Sequence, residues 1–148
     1  LLSFPSTLLL SNKLKKLPKE IGMLTRLKRL DLNGNKLKEI PESLTHLNQL
    51  FRLHLANNRL TSLPEKISFL SNLQVLCLDN NRLASLPEGL TALAQLQFLE
   101  LRNNEIEELP VEMNRLQQLF QMDVAHNKLT ALEKRRVKKL LPNCSIIF

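Results

Sequence analysis

Pro18, Pro41, Pro64, Pro87 and Pro110 recur every 23 residues, and the rest of the chain falls into step with them. A fixed period of this length is the signature of a solenoid, in which each period forms one unit stacked on the last. Aligned on the prolines, the chain reads as six repeats beginning at Phe4, Leu27, Leu50, Leu73, Leu96 and Leu119, in the frame L-x-x-L-x-L-x-x-N-x-L-x-x-L-P-x-x-I-x-x-L-x-x. One repeat runs Leu50, Leu53, Leu55, Asn58, Leu60, Leu63, Pro64, Ile67, Leu70, and the next Leu73, Leu76, Leu78, Asn81, Leu83, Leu86, Pro87, Leu90, Leu93.

The leading L-x-x-L-x-L alternates apolar and polar, as in Leu53, His54, Leu55, which predicts a short strand with leucines on one face. Each strand returns to the same place in the stack and lies parallel to the last, about 4.8 Å away. A return of about a dozen residues containing Pro favours an irregular or 3₁₀ path over a full helix. A short return on one side puts the sheet on the concave side. No single repeat buries its own leucines, so the stack shares one core and residues 1–148 read as a single domain. Phe4, Leu9, Asn12, Leu14, Leu17 and Pro18 keep the frame in the first repeat, with Thr7 where a Leu is expected. The apolar run Leu1–Leu10 is interrupted by Pro5 and is read as this degenerate repeat, not as a targeting segment. The chain begins at Leu1 without Met, as expected of a fragment or a processed product.

These residues resemble leucine-rich repeats of the 23-residue type, and the tail from Glu133 to Phe148 resembles the closing segment of leptospiral leucine-rich-repeat proteins. The resemblance implies an α/β leucine-rich-repeat solenoid: a curved right-handed superhelix with a parallel β-sheet on its concave face, irregular or 3₁₀ returns on its convex face, and a capping helix and strand at about 130–148. It implies a non-enzymatic protein-binding module and favours a bacterial exported or surface protein that meets host molecules. The alternatives are an intracellular scaffold or a sensor fragment of a larger protein.

Asn12, Asn35, Asn58, Asn81, Asn104 and Asn127 follow the strands, and none stands in an Asn-x-Ser/Thr sequence. Asn offers both a donor and an acceptor, so a stacked column of them is suited to backbone groups that a bend leaves unpaired. The chain has no Trp or Tyr, hence no aromatic platform for single-stranded nucleic acid, and no nucleic-acid partner is expected. No run reaches the roughly 18 apolar residues of a membrane span. Cys77 and Cys144 fall about three strands, or roughly 14 Å, apart, too far for a disulfide. Residues 1–60 hold 11 Lys/Arg against 4 Asp/Glu, residues 61–128 hold 5 against 9, and residues 129–148 hold 5 against 1, so charge alternates along the axis. The basic start, including Lys13, Lys15, Lys16, Lys19, Arg26, Lys28 and Arg29, is read as a solvated surface scattered over several faces.

In the tail, Leu132, Arg136, Val137, Leu140 and Leu141 share helical spacing, while Lys134, Arg135, Lys138 and Lys139 fall on the polar side. An amphipathic helix followed by a strand, Cys144 to Phe148, reads as a C-terminal cap, with a calmodulin-like or membrane-binding helix as the alternative. No such cap precedes Phe4, and an open first strand invites a homodimer through the N-terminal edge.

Outward strand positions form three columns: Ser6, Arg29, Arg52, Val75, Phe98, Gln121; then Leu8, Asp31, His54, Cys77, Glu100, Asp123; then Leu10, Asn33, Ala56, Asp79, Arg102, Ala125. Val75 and Phe98, flanked by Phe51 and Phe120, are apolar where solvated strands carry polar groups, and apolar anchors ringed by charge suit a binding hot spot. Arg29, Arg52, His54, Val75, Phe98, Glu100 and Arg102 are therefore the candidate residues for an unidentified protein partner. The set Asp31, His54, Cys77 and Glu100 also permits a thiol nucleophile or a zinc site on paper. With no cleft, oxyanion hole or phosphate loop legible, neither catalysis, a metal nor a cofactor is expected.

Overall fold

The computed structural model describes residues 5–11 and 13–148. Seven three-residue strands, β1 (Thr7–Leu9), β2 (Arg29–Asp31), β3 (Arg52–His54), β4 (Val75–Cys77), β5 (Phe98–Glu100), β6 (Gln121–Asp123) and β7 (Ser145–Ile147), form one open parallel sheet in chain order. From β2 to β6 the partners are 23 residues apart, so Leu30, Leu53, Leu76, Leu99 and Met122 lie side by side facing inward. The returns carry 3₁₀ turns at Lys19–Met23, Glu42–His46, Glu65–Phe69, Glu88–Ala92 and Met113–Arg115. Ahead of the first four stands the repeating proline, extended at φ −67 to −69° and ψ 144 to 147°. Its ring fixes that φ, and its carbonyl accepts the first hydrogen bond of the turn, from Ile21, Leu44, Ile67 or Leu90, at 3.0–3.1 Å. The turns nest against one another: a Cβ at Gly89 would run into the Glu65 carbonyl oxygen, so only glycine permits the approach.

Leu50, Leu53, Leu55, Leu60, Leu63, Ile67 and Leu70 are all buried, as are their equivalents in the neighbouring repeats, and one apolar core extends from Leu17 to Leu141. Burial of each such side chain contributes about 1.5–3 kcal/mol, and the core is shared between rungs.

The first repeat departs from the 23-residue frame. Thr7, Leu8 and Leu9 pair with Arg29, Leu30 and Asp31, a spacing of 22. The segment from Leu8 to Leu14 is one residue shorter than its counterpart from Leu30 to Leu37, since Leu14 and Leu37 occupy equivalent places beneath Asn35 and Asn58. A slip of one residue exchanges the two faces of a strand. Leu8 and Leu10, placed in the outward columns by the sequence frame, instead pack against the core, while Leu9 is 69% exposed and Thr7 rather than Ser6 stands beside Arg29. The expected repeat start at Phe4 and the first asparagine, Asn12, lie outside the described residues.

The other asparagines form the expected ladder. Asn58 donates from Nδ2 to the Leu32 and Leu55 carbonyls at 2.9 and 3.1 Å and accepts the Leu37 N–H at 3.1 Å, binding three chain segments with one side chain. Asn35, Asn81, Asn104 and Asn127 repeat this pattern. Beside it runs an outer column, Gly34, Asn57, Asn80, Asn103 and His126, with φ between 56 and 72°. Asn tolerates that left-handed backbone better than most residues. Two of its side chains also join rungs, Asn80 to Asn57 at 2.9 Å and Asn103 to Asn80 at 2.7 Å.

The chain closes with α1 (Ala131–Leu140), whose Thr130 cap accepts the Glu133 N–H at 3.1 Å, and with β7. Glu133, Val137 and Leu141 make the inner stripe of the helix, at i, i+4 and i+8. Leu132, expected on the apolar side, is 76% exposed. The acidic Glu133, standing where the frame calls for proline, is buried in its place because it has partners there: its carboxylate accepts the Leu109 N–H at 3.0 Å and holds Arg136 at 2.6 Å. Arg136 in turn donates to the Leu109 carbonyl at 2.8 Å, so the pair satisfies backbone groups at the edge of the last full repeat.

Candidate functional site

The outward face of β2 to β6 is a fixed array, because register is set by the backbone ladder beneath it. Across the strands run Arg29, Arg52, Val75, Phe98 and Gln121; next to them run Asp31, His54, Cys77, Glu100 and Asp123. Arg29 and Arg52 both stand over the Phe51 ring, with guanidinium carbons 5.3 and 5.7 Å from its centroid. Stacking of this kind holds two long cations in place by cation–π attraction, worth about 0.5–1 kcal/mol each at exposed sites. In the next two strands Val75 and Phe98 are half-buried neighbours, and Phe98 meets Phe120 edge to face at 5.8 Å. Phe120 remains 63% exposed. On the far side Arg102 pairs with Asp123 at 3.0 Å, and the Arg102 N–H is accepted by Asp79 at 2.8 Å.

All seven sequence-predicted residues thus lie on this face, in the order cationic, apolar, then mixed charge. Ala56 and Ala125, in the outermost predicted column, are buried and offer a partner little. Phe51 lies beneath the two arginines, and Phe120 extends the apolar patch of Phe98; both precede their strands, where the alternation of in and out no longer applies.

Cys77 is buried beneath this face, and burial together with its hydrogen bond to Glu100 pushes its thiol up to about 12. Such a thiol stays protonated at neutral pH and is a poor nucleophile. Its Sγ and one carboxylate oxygen from each of Asp79 and Glu100 lie within 4.8 Å of one another. Asp79 is also raised, first by burial and then by the neighbouring Glu100 and Asp123 carboxylates, against the lowering effect of the Arg102 N–H. Within this trio the Cys77 thiol bonds to Glu100 and is met by the Asp79 backbone N–H. His54, the partner that a thiol nucleophile would require, is not part of it. Cys77 and Cys144 are both free thiols.

No helix among the described residues is long and apolar enough to cross a membrane. Residues 7–81 match the family model of a leucine-rich repeat region, and residues 71–129 match that of a leucine-rich repeat. Curated sequences give no match. Among solved structures, a leucine-rich-repeat protein of Leptospira interrogans superposes with a TM-score of 0.94 at 42% identity over 96% of this chain, which corresponds to 36% of that protein. The plant peptide hormone receptor RGFR1, in complex with RGF2, is 32% identical with a TM-score of 0.80 over 96% of this chain and 24% of the receptor. The ectodomain of the Arabidopsis thaliana receptor kinase GASSHO1/SCHENGEN3, in complex with CASPARIAN STRIP INTEGRITY FACTOR 2, is 31% identical with a TM-score of 0.75, covering 89% of this chain and 16% of the ectodomain. Repeat period, asparagine ladder, parallel sheet and these likenesses agree: the chain belongs to the leucine-rich-repeat family.

Proposed function

We propose that this chain is a protein-binding module whose partner docks on the outward strand face, with Val75, Phe98 and Phe120 as apolar anchors and Arg29, Arg52, His54, Glu100 and Arg102 as the surrounding polar contacts. The observation that carries the reading is the Phe98–Phe120 edge-to-face pair beside Val75, an apolar ridge on a face whose flanking positions are charged. Aromatic anchors of this kind dominate interface energies, and rim charges mainly tune association rate. The ridge stands on a rigid ladder, so little side-chain or backbone order has to be imposed on binding. Two relatives were solved in complex with the partners named above, which supports a partner-binding role for this fold. The likeness to a Leptospira protein supports a bacterial setting, and the partner proposed for that setting is a host molecule.

The test is a partner recovered by unbiased pull-down from host-cell extract, titrated against variants. Phe98→Ala is expected to weaken binding by about 1–3 kcal/mol and to change stability by no more than roughly 0.5 kcal/mol. Parent-like binding by Phe98→Ala, with loss of binding on reversing Lys15 and Lys16, would move the interface away from this face.

A further inference from the structure

One flank of the stack, where the chain leaves the asparagine turn and heads for the proline, gathers cations that sequence order scatters. Lys15, Lys16, Lys36, Lys38 and Arg59 line a single shallow basin of about 440 Å3. Lys36 and Arg59 occupy the same place in successive repeats, and backbone bonds fix that place: the Lys36 N–H donates to Leu14, and the Arg59 N–H to Leu37, both at 2.8 Å. Lys15 and Lys38 are likewise equivalent, 23 residues apart. Among the described residues none of the five enters an ion pair, although Glu39 stands one rung on from Lys16. Five like charges held on a rigid scaffold without a counter-charge repel one another, and an anion seated between them relieves that repulsion.

We propose that this basin binds a compact molecule carrying clustered phosphate monoesters. Three features narrow the class. Each phosphate monoester carries up to about two negative charges, so a few on one small scaffold match five cations within two or three rungs of about 4.8 Å. Further along the same flank the run of cations breaks: the position of Lys36, Arg59 and Arg82 is taken by Glu105, which pairs with Lys128 one rung on, and that of Lys15 and Lys38 by Glu107, so a long polyanion laid along the axis would meet carboxylates. No aromatic side chain lines the basin, which removes the stacking on which single-stranded nucleic acid relies. Free inositol polyphosphates and phosphoinositide headgroups share this chemistry. The site is separate from the outward strand face and does not depend on the proposal made for it.

Calorimetric titration with inositol hexakisphosphate is expected to give one site per chain, with affinity falling as salt is raised from 50 to 200 mM. Lys38→Glu with Arg59→Glu should weaken it at least tenfold at an unchanged melting temperature. The matching reversal at the other basic region, Lys134→Glu with Lys138→Glu, should change it less than twofold. Sedimentation with vesicles containing phosphatidylinositol bisphosphate, against vesicles of equal charge made with phosphatidylserine, assigns the source: selective sedimentation points to the lipid, its absence to the soluble ligand. The proposal is overturned by no binding of the hexakisphosphate, by equal losses in the two reversals, or by tighter binding of a 20-nucleotide single-stranded RNA through the same residues.

Discussion

The two outer strands of the described sheet are built differently. At β7 the last repeat is covered by α1, which places Val137 and Leu141 against the leucines and uses Glu133 and Arg136 to satisfy the Leu109 N–H and carbonyl. At β1 the strand has slipped by one residue, Leu8 and Leu10 are only partly buried, and Leu9 faces outward. Around β1 the chain offers half-buried leucines and a ladder to β2; the closing segment offers a partly buried ion pair that serves the backbone as well as an apolar stripe. Covering the last full repeat is thus as much a matter of backbone hydrogen bonds as of burying leucine side chains.

The largest effect should come from the interior, between the two ends. Leu76→Ala is expected to destabilise by about 2–5 kcal/mol and Asn81→Ala by about 1–3 kcal/mol, whereas Leu8→Ala, at the slipped strand, should lose less than either. Denaturant melts of the three variants check the order, and a Leu8→Ala loss equal to that of Leu76→Ala would erase the contrast between interior and edge. Next in size is the closing pair. The Arg136 side chain, with the Leu109 N–H, holds the Glu133 carboxyl below its ordinary range, so its stabilisation is present above pH of about 4.5 and fades as pH falls through the depressed native value. Glu133→Ala should lose roughly 2 kcal/mol at neutral pH, and the gap from the parent should narrow in acid melts. A gap that widened towards low pH would refute the role assigned to the carboxylate. Smallest is Leu9→Ser, expected to stay within about 0.5 kcal/mol of the parent because the side chain is exposed. A loss of 2 kcal/mol or more would restore the 23-residue register to the first strand.

That last variant also marks where the sequence was ambiguous. From Leu27 onward the alternation of leucines with polar residues admits one register, and the strands, returns, core and asparagine ladder follow from it. Thr7-Leu8-Leu9-Leu10 has leucine at both parities, so counting back from Pro18 could not reveal the missing residue in the following turn. Leu132 misled for a related reason: hydropathy ranks leucine inside, but the neighbouring Glu133 carboxylate, which finds an N–H and a guanidinium, is the better occupant of a site lined by backbone groups. The doubled asparagines at 57–58, 80–81 and 103–104 are a visible signal of the outer ladder, masked because the neighbouring column accounts for the 23-residue recurrence by itself. The outward columns of β2 to β6 were legible because they need only period two and the 23-residue repeat. The basic basin was not, since it draws residues from three repeats that a linear list of lysines does not bring together.

The hydrogen bonds that join rungs have one further consequence. Those of the asparagine ladder that join rungs connect residues 21 or 26 positions apart, or 25 from Asn35 to Leu10 at the slipped first strand, and Arg136 reaches back 27, so each reaches only an adjacent repeat. A barrel must return to its first strand, and its circumference fixes how many strands it holds; this stack answers to no such closure rule. A 23-residue unit spliced in between Leu50 and Leu96 would find every donor and acceptor waiting at its two surfaces. Length in this architecture is therefore a free variable, adjustable one rung at a time while the chemistry of both ends stays as it is.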